Sequence, residues 1–69
     1  MKHHHRSSTI DHSDYDPVKR VLSIKFHSGD TIYQYRDVPM SVVNEFQKAK
    51  SAGKFFHSNI KTAYKTTKL

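Results

Sequence analysis

The residues with the clearest chemical potential are six lysines near the end of the chain. Residues 46–69 contain these lysines and no Asp or Glu, whereas residues 1–45 carry six basic and six acidic side chains. The formal net charge of +6 therefore lies in the last third of the chain. Clustered ammonium groups bind phosphates and release the counterions of a polyanion. This predicts phosphate contacts from Lys54, Lys61 and Lys65, although a basic tail can also serve only solubility.

Two tyrosines form the second candidate group. Tyr33 and Tyr35 have the spacing of one face of a strand. On an exposed sheet they would stack on nucleic-acid bases, at about 1–3 kcal/mol per base. On a buried face they would be core residues with hydroxyls at the sheet edge. Both interpretations stay open, and the strand register decides between them.

A third group has the residue types of a catalytic or metal site. In a strand, His12, Asp14 and Asp16 would lie on one side, as in a metal site or a general base with its carboxylate. The chain shows no recognisable nucleophile, Gly-rich phosphate loop or zinc-ligand spacing. We therefore expect no enzyme, metal or cofactor. The run His3 to His5 is typical of a purification tag or a disordered arm.

The elements that position the tyrosines are two strands. Residues 20–27 alternate as a half-buried strand does, and residues 31–36 return. Gly29-Asp30 is typical of a two-residue type II′ hairpin turn, which would place Phe26 opposite Tyr33. Both tyrosines then share the apolar face, while Lys25 and Arg36 lie on an opposite, basic polar face. This register favours core tyrosines.

The remaining pattern predicts one more strand and two helices. We expect a first strand near residues 8–15. We also expect a helix that starts at Pro39 and stops near Gly53, and a second short helix or turn over 54–64. The predicted fold class is α+β, a three-stranded antiparallel β-meander followed by two short helices packed on one face. We expect a disordered or tag-like arm over 1–7, one domain over 8–65 and a frayed end over 66–69.

Composition narrows the class further. The chain has 69 residues, 35% apolar residues and no Cys, which predicts one small domain without disulfides. The lack of Cys suits a cytoplasmic protein. No apolar run approaches the ~18 residues of a membrane span. We expect a monomer.

The order of residues over about 7–67 resembles the KTSC domain, a small bacterial and phage-associated domain named after a C-terminal segment of some lysyl-tRNA synthetases. The resemblance is carried by Ser7-Ser8, Ile10, Tyr15-Asp16, Leu22-x-Ile24-x-Phe26-x-x-Gly29, Tyr33-x-Tyr35, Val38-Pro39, Ala49-x-Ser51-x-Gly53-x-Phe55-Phe56, Asn59-Ile60 and Tyr64. The chain departs from the family pattern at Asp14, where a small residue is usual, and at His57, where Asn is usual.

The function of the family is unknown, so the resemblance implies only the RNA binding that has been suggested for it. The resemblance supplies no catalytic residues. Together with the charge pattern it leads to our first hypothesis, a non-enzymatic RNA-binding module. Its candidate residues are Lys25, Tyr33, Tyr35, Arg36, Lys54, Lys61 and Lys65. The alternative hypothesis is a protein-interaction module, of bacterial or phage origin, that docks on an acidic host partner.

Overall fold

The computed structural model describes residues 2–69 and has an α+β fold. Its elements are β1 (Lys2–His4), β2 (Ile10–Asp16), β3 (Val21–Phe26), β4 (Ile32–Tyr35), α1 (Met40–Lys48), α2 (Ala52–Asn59) and β5 (Thr66–Lys68). The strands form one antiparallel sheet in the order β1-β2-β3-β4-β5. The predicted fold class is correct, but the sheet has five strands and not three.

The two additional strands lie in segments that we expected to be a disordered arm and a frayed end. β1 pairs with β2 through His3 and Ser13, and β5 pairs with β4 through Thr67 and Gln34. Both are three-residue edge strands with mostly exposed side chains. Main-chain hydrogen bonds hold such strands, and these bonds need no alternating apolar pattern. Side-chain periodicity therefore did not indicate them.

The β3–β4 hairpin differs from its predicted register by two residues. Ile24 pairs with Tyr33 and Leu22 with Tyr35, and residues 27–31 connect the two strands. No glycine in the described chain has a positive φ, so the connection is not the predicted type II′ turn. Because side chains alternate with a period of two, the shift leaves both tyrosines on the predicted face.

β2 carries the irregularity that shapes one end of the sheet. Its register with β3 shifts between Ile10 and His12, which is a β-bulge at Asp11. At the other end, Asp16 Oδ1 accepts hydrogen bonds from the backbone N–H groups of Val18 and Lys19, at 3.0 and 3.2 Å. This carboxylate closes the β2–β3 turn.

The helices begin and end differently from the prediction. Pro39 is the N-cap of α1, which ends at Lys48, well before the expected stop at Gly53. Gly53 instead lies in the first turn of α2, whose N-cap Ser51 accepts a hydrogen bond from Lys54 N–H at 3.3 Å. A Cβ atom at Gly53 would lie 3.4 Å from the Thr9 side chain, so the small residue lets α2 approach the β1–β2 connection closely.

Both helices cover one face of the sheet. The buried hydrophobic side chains form a single cluster that joins the tyrosine-bearing face to the helices: Ile10, Tyr15, Leu22, Ile24, Tyr35, Val38, Val43, Phe46, Ala52, Phe56 and Ile60. The opposite face of the sheet carries no helix and is called the open face below. The fold thus presents two distinct surfaces, the helix side and the open face.

Candidate nucleic-acid interface

An aromatic groove lies on the helix side, between the β3–β4 hairpin and α2. It has a volume of about 540 Å³. Its lining residues are Thr9, Phe26, Ser28, Gly29, Thr31, Tyr33, Tyr35, Gly53, Phe56, His57 and Lys61. The hairpin supplies one wall and α2 supplies the other. Gly53 and Thr9 both line it, where α2 meets the β1–β2 connection.

Four aromatic rings shape this groove. The ring centroids of Phe26 and Tyr33 lie 5.5 Å apart, and those of Phe26 and Phe56 lie 5.3 Å apart, both in edge-to-face arrangements. Tyr35 contacts Phe56 at 5.4 Å and is only 4% exposed. Tyr35 is therefore a floor residue, whereas the half-buried Phe26 and Tyr33 retain ring surface that a ligand can contact. Burial also raises the pKa of Tyr35.

A basic pocket adjoins the groove. It has a volume of about 710 Å³ and is lined by Arg6, Ser7, Ser8, Thr9, Lys50, Ser51, Gly53, Lys54, His57 and Ser58. It shares Thr9, Gly53 and His57 with the groove, so the two form one continuous surface. Neither lining contains an Asp or Glu. Cationic and hydroxyl groups beside an aromatic surface suit a phosphate next to a base.

The structure divides the seven predicted site residues between two faces. Tyr33, Tyr35 and Lys61 line the groove, and Lys54 lines the basic pocket. Lys65 is exposed, and its carbonyl accepts a hydrogen bond from the Arg36 N–H at 3.0 Å, next to the last residue pair of β4 and β5. Lys25 and Arg36 lie on the open face, on the other side of the sheet from the groove.

The open face has mixed charge, unlike the basic surface that we predicted. Lys25 Nζ lies 3.7 Å from Asp11 Oδ2. The β2–β3 register also places Asp14 and Asp16 on this face, opposite residues of β3. Arg36 donates a hydrogen bond to Thr67 Oγ1 at 2.8 Å. The positive charge of the open face is thus partly compensated by carboxylates, whereas the lining of the basic pocket contains none.

Among the Lys, Arg, Phe and Tyr side chains of this surface, sequence reasoning missed Arg6, Phe26, Lys50 and Phe56. Lys50 was counted in the basic segment but not assigned a role, and Arg6 lies in a segment that we expected to be disordered. Phe26 was placed opposite Tyr33 without a binding role, and its contact with Phe56 depends on how α2 crosses the hairpin. Sequence spacing holds no signal for that crossing.

The histidines adopt defined positions. His5 Nε2 is hydrogen bonded to Ser13 Oγ at 2.8 Å, and its ring centroid lies 4.5 Å from that of Phe46. Burial, aided by repulsion from neighbouring histidines, lowers the pKa of His5 from 6.5 to about 4. The hydrogen bond with His12, helped by nearby cations, lowers the pKa of Asp11. The predicted partners of His12 were Asp14 and Asp16, but its contact is with Asp11.

Within residues 2–69, α1 has nine residues and α2 has eight, so neither helix reaches the roughly 20 apolar residues of a membrane span.

The chain is similar in sequence to known proteins. A 55-residue stretch is 40% identical to a lysine–tRNA ligase of Nostoc sp., covering 80% of this chain and 10% of the ligase. The chain thus spans only about a tenth of that relative. A protein of Tsukamurella paurometabola is 33% identical over 63 residues, which cover 91% of this chain and 92% of that protein.

A solved structure has the same fold. The crystal structure of a KTSC domain protein from Yersinia pestis matches with a TM-score of 0.93 and 35% identity, over 100% of this chain and 96% of the other. The family model of the KTSC domain matches residues 6–64. The chain therefore belongs to the KTSC domain family.

Proposed function

We propose that this protein is a non-enzymatic RNA-binding module, and that the aromatic groove and the basic pocket form its RNA-binding surface. The observation that carries the proposal is their continuity. Aromatic rings adjoin Arg6, Lys50, Lys54 and Lys61, with no carboxylate in either lining. A single strand needs both features, a stacking surface for bases and cations along the backbone.

The dimensions favour a single strand over a duplex. The groove, at about 540 Å³, has the size of pockets that hold small ligands, which suits a base and its sugar. Tyr33 and Phe26 would contact the base, while Lys61 and the basic pocket would contact the flanking phosphates. The sequence relationship to a lysine–tRNA ligase supports RNA as the polymer, because that relative is named for a tRNA-dependent reaction.

The role of the open face is secondary in this proposal. Lys25 and Arg36 each already contact a protein group, Asp11 and Thr67 respectively. We propose that they make no direct contacts with RNA. Lys65 lines neither the groove nor the basic pocket, and in this proposal it extends the basic surface beyond Lys61.

The test is fluorescence anisotropy of labelled tRNA and of labelled single-stranded RNA, at about 50 mM and about 200 mM salt. We expect micromolar or tighter binding of the single strand that weakens steeply as salt rises. No binding of either RNA at low salt would refute the proposal. That result would favour the alternative, docking on an acidic protein partner, for which the short edge strands β1 and β5 offer main-chain groups for strand addition.

A further inference from the structure

A cluster of metal-ligating groups lies on the open face, away from the proposed RNA surface. The β1–β2 register places His4 directly opposite His12. Their ring centroids are 5.7 Å apart. The bulge in β2 brings Asp11 to the same place, with Asp11 Oδ2 at 3.1 Å from His12 Nδ1. One ligand atom from each of the three residues lies within 4.8 Å of the others.

A bound metal ion would draw these three ligand atoms closer together than they are here. Zinc bonds of 2.0–2.2 Å at tetrahedral angles separate pairs of ligand atoms by about 3.4 Å. Small rotations of the partly exposed side chains would close the remaining difference. Two imidazoles with one carboxylate suit divalent transition ions such as Zn²⁺, and less so Mg²⁺ or Ca²⁺, which prefer oxygen ligands. We propose that His4, Asp11 and His12 form a binding site for a divalent transition metal.

The surroundings indicate an open, exchangeable site. His4 is exposed and Asp11 and His12 are half-buried, so water would complete the coordination. Lys25 Nζ at 3.7 Å and His27 Nδ1 at 3.8 Å flank the Asp11 carboxylate. A metal ion would displace the Lys25 ammonium, because both occupy the cation position beside Asp11 Oδ2. The site depends on the fold and not on RNA binding.

The fold distinguishes this site from non-specific binding by a histidine run. His3 pairs with Ser13, so its side chain points to the other face from that of His4. His5 packs on Phe46 and is hydrogen bonded to Ser13. A flexible run would use all three consecutive histidines alike. The proposed site uses His4 and needs Asp11 and His12, which lie on another strand.

The experiment measures Zn²⁺ binding by calorimetry and Co²⁺ binding by visible absorption. It uses the full chain, purified by cation exchange without an added affinity tag and treated with EDTA. We expect one metal ion per chain. His12→Gln, Asp11→Asn and His4→Gln should each weaken binding by at least the ~10-fold that loss of an outer-shell partner costs. The matched control His3→Gln should leave the affinity unchanged.

Circular dichroism melting of each metal-free variant checks that it folds. The proposal is overturned if the parent chain binds no Zn²⁺, or if His3→Gln weakens binding as much as His4→Gln. It is equally overturned if folded Asp11→Asn and His12→Gln variants both bind as the parent does. Either of the last two results would assign metal binding to the histidine run alone.

Discussion

Replacing the groove lysines should change how RNA affinity depends on salt. Arg6, Lys50, Lys54 and Lys61 are the four cations that line the groove and the basic pocket. For single strands, the logarithm of the binding constant falls with the logarithm of the salt concentration, with a slope of about −0.7 per phosphate contact. If each cation contacts one phosphate, the total slope is about −2.8, and a fourfold rise in salt weakens binding about 50-fold. In Lys54→Gln/Lys61→Gln the slope should fall to about −1.4, with only a ~7-fold loss over the same range.

The control for this variant removes the same charge from the other face. Lys25→Gln/Arg36→Gln also lowers the net charge by two but leaves the groove intact. Anisotropy of a labelled single-stranded RNA, measured from about 50 to about 200 mM salt, should give this control the parent slope. If the control flattens the slope and the groove variant does not, RNA lies on the open face and our assignment of the interface is wrong.

Three further predictions concern single tyrosines. Tyr33→Leu should weaken single-stranded RNA binding by about 5- to 150-fold, which is the loss of one stacked base. Tyr64 lies outside the groove, so Tyr64→Leu should leave binding unchanged, and equal effects of the two variants would count against stacking. The buried Tyr15 hydroxyl donates a hydrogen bond to the Val38 carbonyl at 2.5 Å, so Tyr15→Phe should cost about 1–3 kcal/mol. Its Tm, followed by circular dichroism, should fall by roughly 4–8 °C per kcal/mol, and an unchanged Tm would contradict this role. Burial raises the pKa of Tyr35 above 10.0, so its contribution to stability is present below pH 10 and is lost as the pH rises through the folded pKa. In Tyr35→Phe, titration by absorbance at 295 nm should therefore lose the ionisation of one tyrosine above pH 10.

The sheet face of the tyrosines could be predicted, although the turn could not. Alternation in residues 20–27 and 31–36 determines which side chains share a face, and an error of two residues preserves it. The connection over residues 27–31 depends on the backbone conformation around Gly29, which has no positive φ. A Gly-Asp pair permits a type II′ turn but does not require one.

The edge strands and the groove lay beyond sequence reasoning for different reasons. β1 and β5 are held by main-chain pairing, which leaves no residue-type pattern. The groove requires Phe26 from the hairpin and Phe56 from α2 to meet, and the basic pocket brings Arg6 next to Lys50. These contacts depend on helix placement, which Gly53 permits but does not specify.

The most direct test of the RNA-binding surface is chemical-shift mapping by NMR with a short single-stranded RNA. The account predicts that the largest changes in amide signals fall on residues that line the groove and the basic pocket, with Thr9, Gly53 and His57 at their junction. Signals of Ser23 and Gln34, which pair within the sheet and line a cleft on the open face, should stay in place. Changes centred on Ser23 and Gln34, or no changes at all, would contradict the account.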